Sequence, residues 1–244
     1  MKFRKLLFLL SLMFLSCNKE EPKYKVCEYA TDDPLLQAYN DLLIELVENH
    51  FYNLYLGEEQ EALLQDWYKI ENPNSADFAP FEERLIQLQN SLFGDSARIK
   101  TIYIANQARF AARFSELLPD KLSDLSDEFG SVSGFLRKYG VDLENALLHL
   151  SKTIEKYRAN DYQACTFKAD TLGEDKSWFD LSAIKKQKAI GQVAFSEIYW
   201  IDKDTGLLYY EFQCGGKCGK GELLSFEKVN GRWRILEKYQ LWIS

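Results

Sequence analysis

The sequence contains no apolar stretch long enough to cross a bilayer, and histidine is scarce. The longest apolar segment is Leu6–Leu15, ten residues, whereas a membrane-spanning helix needs about 20. The only histidines are His50 and His149, and no motif places either near a Ser or Cys nucleophile. A transmembrane helix is therefore excluded, and hydrolysis by a nucleophilic triad has no support.

A surplus of positive charge is also absent. Without the three basic residues of positions 1–16, 27 of the 30 basic residues remain against 37 acidic ones, a net charge of −10. The acidic surplus lies in residues 17–160, because residues 161–244 hold 12 residues of each sign. Such a chain repels phosphate backbones, so we expect no nucleic-acid partner.

The N-terminus has the pattern of a secretion signal. Lys2, Arg4 and Lys5 precede the apolar segment, and Ser16 and Cys17 follow it. Leu15-Ser16-Cys17 resembles the lipobox of bacterial lipoproteins, which implies that residues 1–16 are removed and that Cys17 carries the lipid. The alternative is an ordinary secretion signal followed by a coincidental cysteine.

Residues 17–33 are rich in charge and read as a flexible tether. Lys19, Glu20 and Glu21 resemble the short export tag of surface lipoproteins in Bacteroidota-type bacteria. We therefore expect a protein of the outer membrane or cell surface that is held by its N-terminal lipid. Attachment to the periplasmic face of the membrane is the alternative. Several acyl chains on one cysteine are enough for stable anchoring.

Four further cysteines are expected to form disulfides, since an exported chain meets oxidising conditions. Proximity in sequence favours a bond between Cys214 and Cys218, which leaves Cys27 with Cys165. The alternative is four unpaired thiols.

The segment at 214–221, CGGKCGKG, has several chemical interpretations. A phosphate loop needs four residues between its first glycine and Gly-Lys, but only three separate Gly215 from Gly219. A zinc site needs four ligands, and the spacing of the two cysteines matches no common finger. A redox pair would have two residues between its cysteines. We predict a disulfide-stapled turn between two strands, with no metal and no cofactor.

Residues 34–160 have the periodicity of helices. Asp33-Pro34 predicts a helix start, and apolar residues then recur at three- and four-residue spacing up to Gly57. This stripe includes His50, expected to be a packed, hydrogen-bonded histidine. Further helices are predicted over Glu58–Tyr68, from about Pro80 to Gly94, up to Pro119, and from Asp142 through Tyr157. Residues 99–104 fit either strand or helix.

Residues 161–244 alternate with a period of two. Turns at 202–206, 214–221 and Asn230-Gly231 separate strands, and the last strand places Trp233, Ile235, Tyr239, Leu241 and Ile243 on one parity. The prediction is an α+β fold, with an N-terminal helical region followed by a C-terminal antiparallel β-meander packed with the helices.

The last fifty or so residues resemble a tail seen in uncharacterised bacterial proteins, and the helical part resembles uncharacterised Bacteroidota-type lipoproteins. The tail residues are Cys214-Gly215, Cys218-Gly219, Gly221, Glu227-Lys228, Gly231-Arg232-Trp233 and Trp242-Ile243-Ser244. This resemblance implies an exported protein and carries no activity.

The expected function is that of a lipid-anchored envelope protein that binds a protein or glycan rather than catalysing a reaction. Trp200 and Tyr209, off the buried parity of their strands, are the candidate binding residues. They could instead cover a second core layer beneath the helices. The alternative function is an anchored hydrolase that uses a carboxylate pair from the acidic helical half.

Overall fold

A computed structural model describes residues 29–51, 78–105, 128–171, 188–215 and 218–243, together with positions 62 and 65. The helices, numbered α1 to α4, are Pro34–Glu45, Phe78–Gly94, Glu128–Lys138 and Leu143–Leu150. The strands, numbered β1 to β7, are Thr101–Ile104, Lys168–Thr171, Ala189–Phe195, Tyr199–Trp200, Thr205–Gly215, Cys218–Val229 and Arg232–Ile243.

Helix α1 begins where its local signals predict. The side chain of Asp33 accepts hydrogen bonds from the N–H groups of Leu35 and Leu36 at 3.0 and 3.2 Å, and Pro34 occupies the first helical position. The helix continues into a π-helical turn, Leu46–His50, closed by a 2.8 Å bond from the Phe51 N–H to the Leu46 carbonyl. This turn rotates the end of the helix relative to a regular α-helical path.

The strands form one seven-stranded sheet in the order β2-β1-β3-β5-β6-β7, with β4 paired to β5. The α+β prediction is confirmed, but the purely antiparallel meander is wrong, because β1 runs parallel to both β2 and β3. Residues 101–104 are therefore strand. Parallel neighbours need long connections, so their pairing leaves no local turn signal in the sequence.

The sheet is buried on both faces. The α1 face, which includes Tyr210, Phe212, Leu224 and Phe226, shares a core with Tyr39 and Leu42 of α1 and with Leu92 of α2. The α3–α4 face, which includes Leu207, Tyr209 and Leu223, shares a second core with Val132 and Leu136 of α3 and Leu147 of α4. Alternate residues of the strands thus serve two separate cores.

Strand β7 does not keep one parity along its length. Phe226 pairs with Ile235 but Ser225 pairs with Glu237, so Leu236 is an extra residue in a bulge. One extra residue exchanges the faces of the residues that follow, until a second bulge at Leu241 reverses the exchange. Trp233 and Ile235 therefore belong to the α1 face, whereas Tyr239 and Leu241 pack on the α3–α4 face. The prediction of a single apolar parity is wrong for this reason.

Helix α4 ends earlier than predicted, at Leu150 rather than near Tyr157. Thr153 forms a bridge with Ser196, and the Ile154 N–H bonds to the Phe195 carbonyl at 2.9 Å. These two β-branched residues pair with the end of β3 instead of continuing the helix. The predicted signal segment, residues 17–28 of the predicted tether, and the helices predicted over 58–68 and up to 119 lie outside the described residues, apart from helical positions 62 and 65. Residues 29–33 are not part of a flexible tether, because Tyr29 bonds to Asp41 and Asp33 caps α1.

Candidate functional site

Helix α1 lies alongside strand β7, which is the last strand in the order of the sheet. Gln37 donates from Nε2 to the Gly231 carbonyl at 2.9 Å. Four residues further, Asp41 accepts the Trp233 N–H at 3.1 Å, and after four more, Glu45 accepts the Ile235 N–H at 3.0 Å. The four-residue spacing places these side chains on one side of α1. Asp41 and Glu45 thereby bond to backbone N–H groups of an edge strand, which could otherwise pair with a strand of another chain.

The end of α1 brings His50 to the C-terminal half of β7. The Nδ1 atom of His50 lies 3.0 Å from Nζ of Lys238. An ammonium group has no acceptor, so Nδ1 accepts this hydrogen bond. Burial lowers the pKa of His50 to about 4, and the charges of Lys238 and Lys220 act in the same direction. His50 is thus a neutral imidazole near pH 7.

A buried carboxylate stands beside these lysines. Glu222 accepts a hydrogen bond from the Tyr210 hydroxyl, and Lys220 Nζ lies 3.1 Å from its Oε2 atom. Burial raises the pKa of Glu222, but the Tyr210 hydrogen bond and the Lys220 charge outweigh it and hold that pKa below the usual range. Burial, with repulsion from Lys220, lowers the pKa of Lys238. We call His50, Tyr210, Lys220, Glu222 and Lys238 the His50 cluster.

The His50 cluster offers hydrogen-bonding groups and two cations but no serine, threonine or cysteine. In the described part of the chain, His50 contacts Lys238, and His149 lies 3.6 Å from a Glu197 carboxylate oxygen and beside the ring of Tyr199. Neither imidazole contacts a serine, threonine or thiol there. Within the same residues, no three His, Cys, Asp or Glu side chains are grouped so as to hold a metal ion. The arrangement suits the binding of a polar group.

A second polar group lies on the opposite face of the sheet, beyond the α3–α4 core. Tyr209 donates to Glu211 Oε1 at 2.7 Å, and Trp242 Nε1 donates to the Tyr209 hydroxyl at 2.8 Å. Gln192 and Gln213 lie on the same face and are both buried. Polar side chains therefore occupy both faces near the hairpin that joins β5 and β6.

That hairpin contains the Cys214–Cys218 disulfide, with a Cα–Cα separation of 5.1 Å. The bond connects the end of β5 to the start of β6, so the predicted stapled turn between strands is confirmed. Cys165 is also in a disulfide. Cys27 and Cys17 lie outside the described residues, so the Cys27–Cys165 pairing and the lipidation of Cys17 stay predictions.

The structure does not bring the two candidate binding residues together. Tyr209 is 3% exposed and belongs to the core on the α3–α4 face, the second-layer alternative raised from the sequence. Trp200 is 40% exposed and packs against Phe226 and Trp233, which belong to the α1 face. They therefore do not line one groove.

Sequence reasoning missed the residues that the fold assembles into polar groups. Lys220 matches only the phosphate-loop pattern, whose spacing fails, and Lys238 falls on the exposed parity of β7. Gln213 shares the parity of Tyr209, which the sequence places off the buried parity of β5, so no local pattern indicates that Gln213 is buried. His50 and Lys238 are 188 residues apart, so no local pattern relates them.

Comparison with known proteins assigns no family to this chain. No family model matches it, and no curated protein or solved structure matches it either. Among the described helices, none combines the length and apolar character required to cross a bilayer.

Proposed function

We propose that this is a lipid-anchored protein of the cell envelope, attached to the outer membrane through Cys17, whose folded body binds a ligand. The observation that carries the proposal is the pairing of the cysteines. All three cysteines in the described residues, Cys165, Cys214 and Cys218, are disulfide-bonded. Structural disulfides persist in exported proteins and are rare in the cytosol.

The N-terminal sequence supports the manner of attachment. A cationic start, an apolar segment and Leu15-Ser16-Cys17 together fit export followed by acylation of Cys17. The charged residues between Cys17 and Tyr29 then provide a tether, so that the folded body need not touch lipid. The acidic mature chain agrees with this, because an electrostatic hold on anionic lipid is disfavoured.

Binding is favoured over catalysis by the chemistry of the polar groups. The imidazole of His50 accepts from a lysine and has no hydroxyl or thiol to activate within the described residues. Glu222 is already bonded to Tyr210 and Lys220. Groups held in this way are suited to recognise a ligand by hydrogen bonds.

Thiol trapping in intact cells tests the proposal. Wild-type protein should sediment with membranes, and a thiol-reactive polymer tag should modify it only after reduction. A Cys17→Ala variant should keep its disulfides but leave the membrane fraction. Modification of Cys214 and Cys218 in unreduced wild-type protein would contradict the proposal, as would membrane attachment that survives the Cys17→Ala change.

The alternative, an envelope-anchored hydrolase, has one observation in its favour. Burial raises the pKa of Glu45, whereas the pKa of Glu222 is held low, and both carboxyl groups interact with Lys238. Carboxyl groups with pKa values shifted apart are typical of an acid and base pair. Release of reducing ends from envelope polysaccharide, lost in Glu222→Gln, would favour this alternative; equal release by both proteins would exclude the pair.

A further inference from the structure

Two glutamines lie side by side on the sheet. In the β3–β5 pairing, Gln192 is opposite Gln213, and Val193 is opposite Phe212. Val193 and Phe212 belong to the core on the α1 face, so the two glutamines point to the other face. Directly opposed residues of antiparallel strands have Cβ atoms about 5 Å apart. The two amide groups are therefore within reach of one small ligand.

Both glutamines are buried, and within the described residues their carbonyl oxygens have no protein partner. Gln192 is 8% exposed and Gln213 is 6% exposed, and the Oε1 atom of each makes no hydrogen bond to any described group. The two side chains do not bond to each other either. Native proteins rarely leave buried amide oxygens unpaired, because each loses its hydration and gains nothing in return. Two such oxygens on adjacent residues indicate a position where another molecule completes the bonding.

The surroundings identify the chemistry of that molecule. A primary amide carries an acceptor and two donors without net charge, so two adjacent amides match groups that both donate and accept. Hydroxyl groups of a sugar do this, and neighbouring hydroxyls present such groups in pairs. Tyr103 pairs with Gln192 from the adjacent strand and is partly exposed, which places an aromatic residue beside the amides. Aromatic rings and amides are a common combination in pockets for neutral polar ligands.

We infer that Gln192 and Gln213 bind a single sugar residue, with their amides hydrogen-bonded to adjacent hydroxyls. This inference rests on the proposed binding role and specifies its ligand class. Ordered water is the competing explanation, since buried polar groups are often bridged by water. Peptide amides are a second competing class, because they also donate and accept.

Saturation-transfer NMR with the full-length, detergent-solubilised protein tests the inference. The probes are glucose, galactose, mannose and N-acetylglucosamine at roughly millimolar concentration, with acetyl-glycinamide as the peptide probe. At least one sugar should receive saturation, and the peptide probe should not. If no sugar responds, or if only the peptide probe does, the inference is overturned.

Variants distinguish binding at the two glutamines from nonspecific binding elsewhere on the protein. Gln192→Leu and Gln213→Leu should each weaken sugar binding about tenfold, because one amide of the pair is lost. Both should leave the melting temperature equal or higher, because an apolar side chain replaces an unpaired buried oxygen. Gln240→Leu, at an exposed position of β7, is the matched control and should bind as wild type does. Equal binding by all four proteins would refute the site.

The result is independent of the envelope proposal. Membrane attachment through Cys17 and the state of the thiols are measured without any sugar. If attachment is confirmed and no sugar binds, only the ligand class is wrong. If a sugar binds to protein that is cytosolic and reduced, the glutamine site stands and the envelope proposal fails.

Discussion

The carboxylate of Asp41 accepts the backbone N–H of Trp233, with an Oδ2–N distance of 3.1 Å. Its other oxygen accepts from the Tyr29 hydroxyl at 2.6 Å and from Arg232 Nη1 at 2.9 Å. Asp41 is only 5% exposed, so this single carboxylate joins α1, the start of β7 and the segment before α1. It also satisfies a backbone donor of the edge strand.

Replacing Asp41 with alanine should lower the free energy of unfolding by about 3 kcal/mol, because Arg232 and the Trp233 N–H lose a buried, charged acceptor. Urea unfolding followed by tryptophan fluorescence measures this. Glu155→Ala is the matched control, since Glu155 is exposed, and it should change stability by no more than about 0.5 kcal/mol. Equal stability of the two variants would show that the contact contributes nothing.

Two glycines should respond to alanine with opposite signs. A Cβ atom on Gly221 would lie 2.5 Å from the Tyr209 hydroxyl and 2.7 Å from Cδ1 of Trp242, whereas one on Gly134, in α3, would meet nothing within 4 Å. Gly221→Ala should therefore cost about 2 kcal/mol through overpacking. Gly134→Ala should raise stability by roughly 0.5–1 kcal/mol, because alanine favours a helix. Thermal unfolding gives both values; a stabilised Gly221→Ala protein would contradict the packing described here.

His50 should make the protein lose stability on mild acidification. Its pKa is about 4 in the folded protein and near 6.5 in the unfolded chain, so between these pH values only the unfolded chain binds the proton. Folding stability therefore decreases as the pH falls through this interval. The charged groups that face the imidazole are Lys238, Lys220 and Glu222, and they are the same in the wild-type protein and in the His50 variant below.

The His50→Gln variant, which can still accept from Lys238, should lose less stability than wild type between pH 6.5 and about 4. Urea unfolding at the two pH values measures the difference. His149→Gln, at an exposed position of α4, controls for the loss of a histidine and should keep the wild-type difference. An unchanged difference in His50→Gln would mean that the imidazole is not held neutral by its surroundings.

Features with local causes were predictable from the sequence. Asp33-Pro34 defined the start of α1 because capping and a fixed proline φ act within a few residues. Asn230 and Gly231 both have positive φ, 51° and 80°, and connect β6 to β7 as the hairpin signal indicated. The Cys214–Cys218 bond followed from a separation of four residues.

Features that depend on residues far apart in the chain were not predictable from the sequence. The strand at Thr101–Ile104 depends on pairing with residues 168–171 and 189–193, far along the chain. The bulge at Leu236 depends on how β7 meets β6, and it exchanged the faces of the side chains from Glu237 to Gln240, after which a second bulge at Leu241 reverses the exchange. For the same reason the contact between His50 and Lys238 and the pairing of Gln192 with Gln213 appear only in the folded protein.

Mass spectrometry of the N-terminal peptide from membrane-extracted protein reads the state of Cys17 itself. The mature chain should begin at Cys17, with a diacylglyceryl group on its sulfur. A chain that still begins at Met1, with an unmodified thiol at Cys17, would contradict lipid attachment.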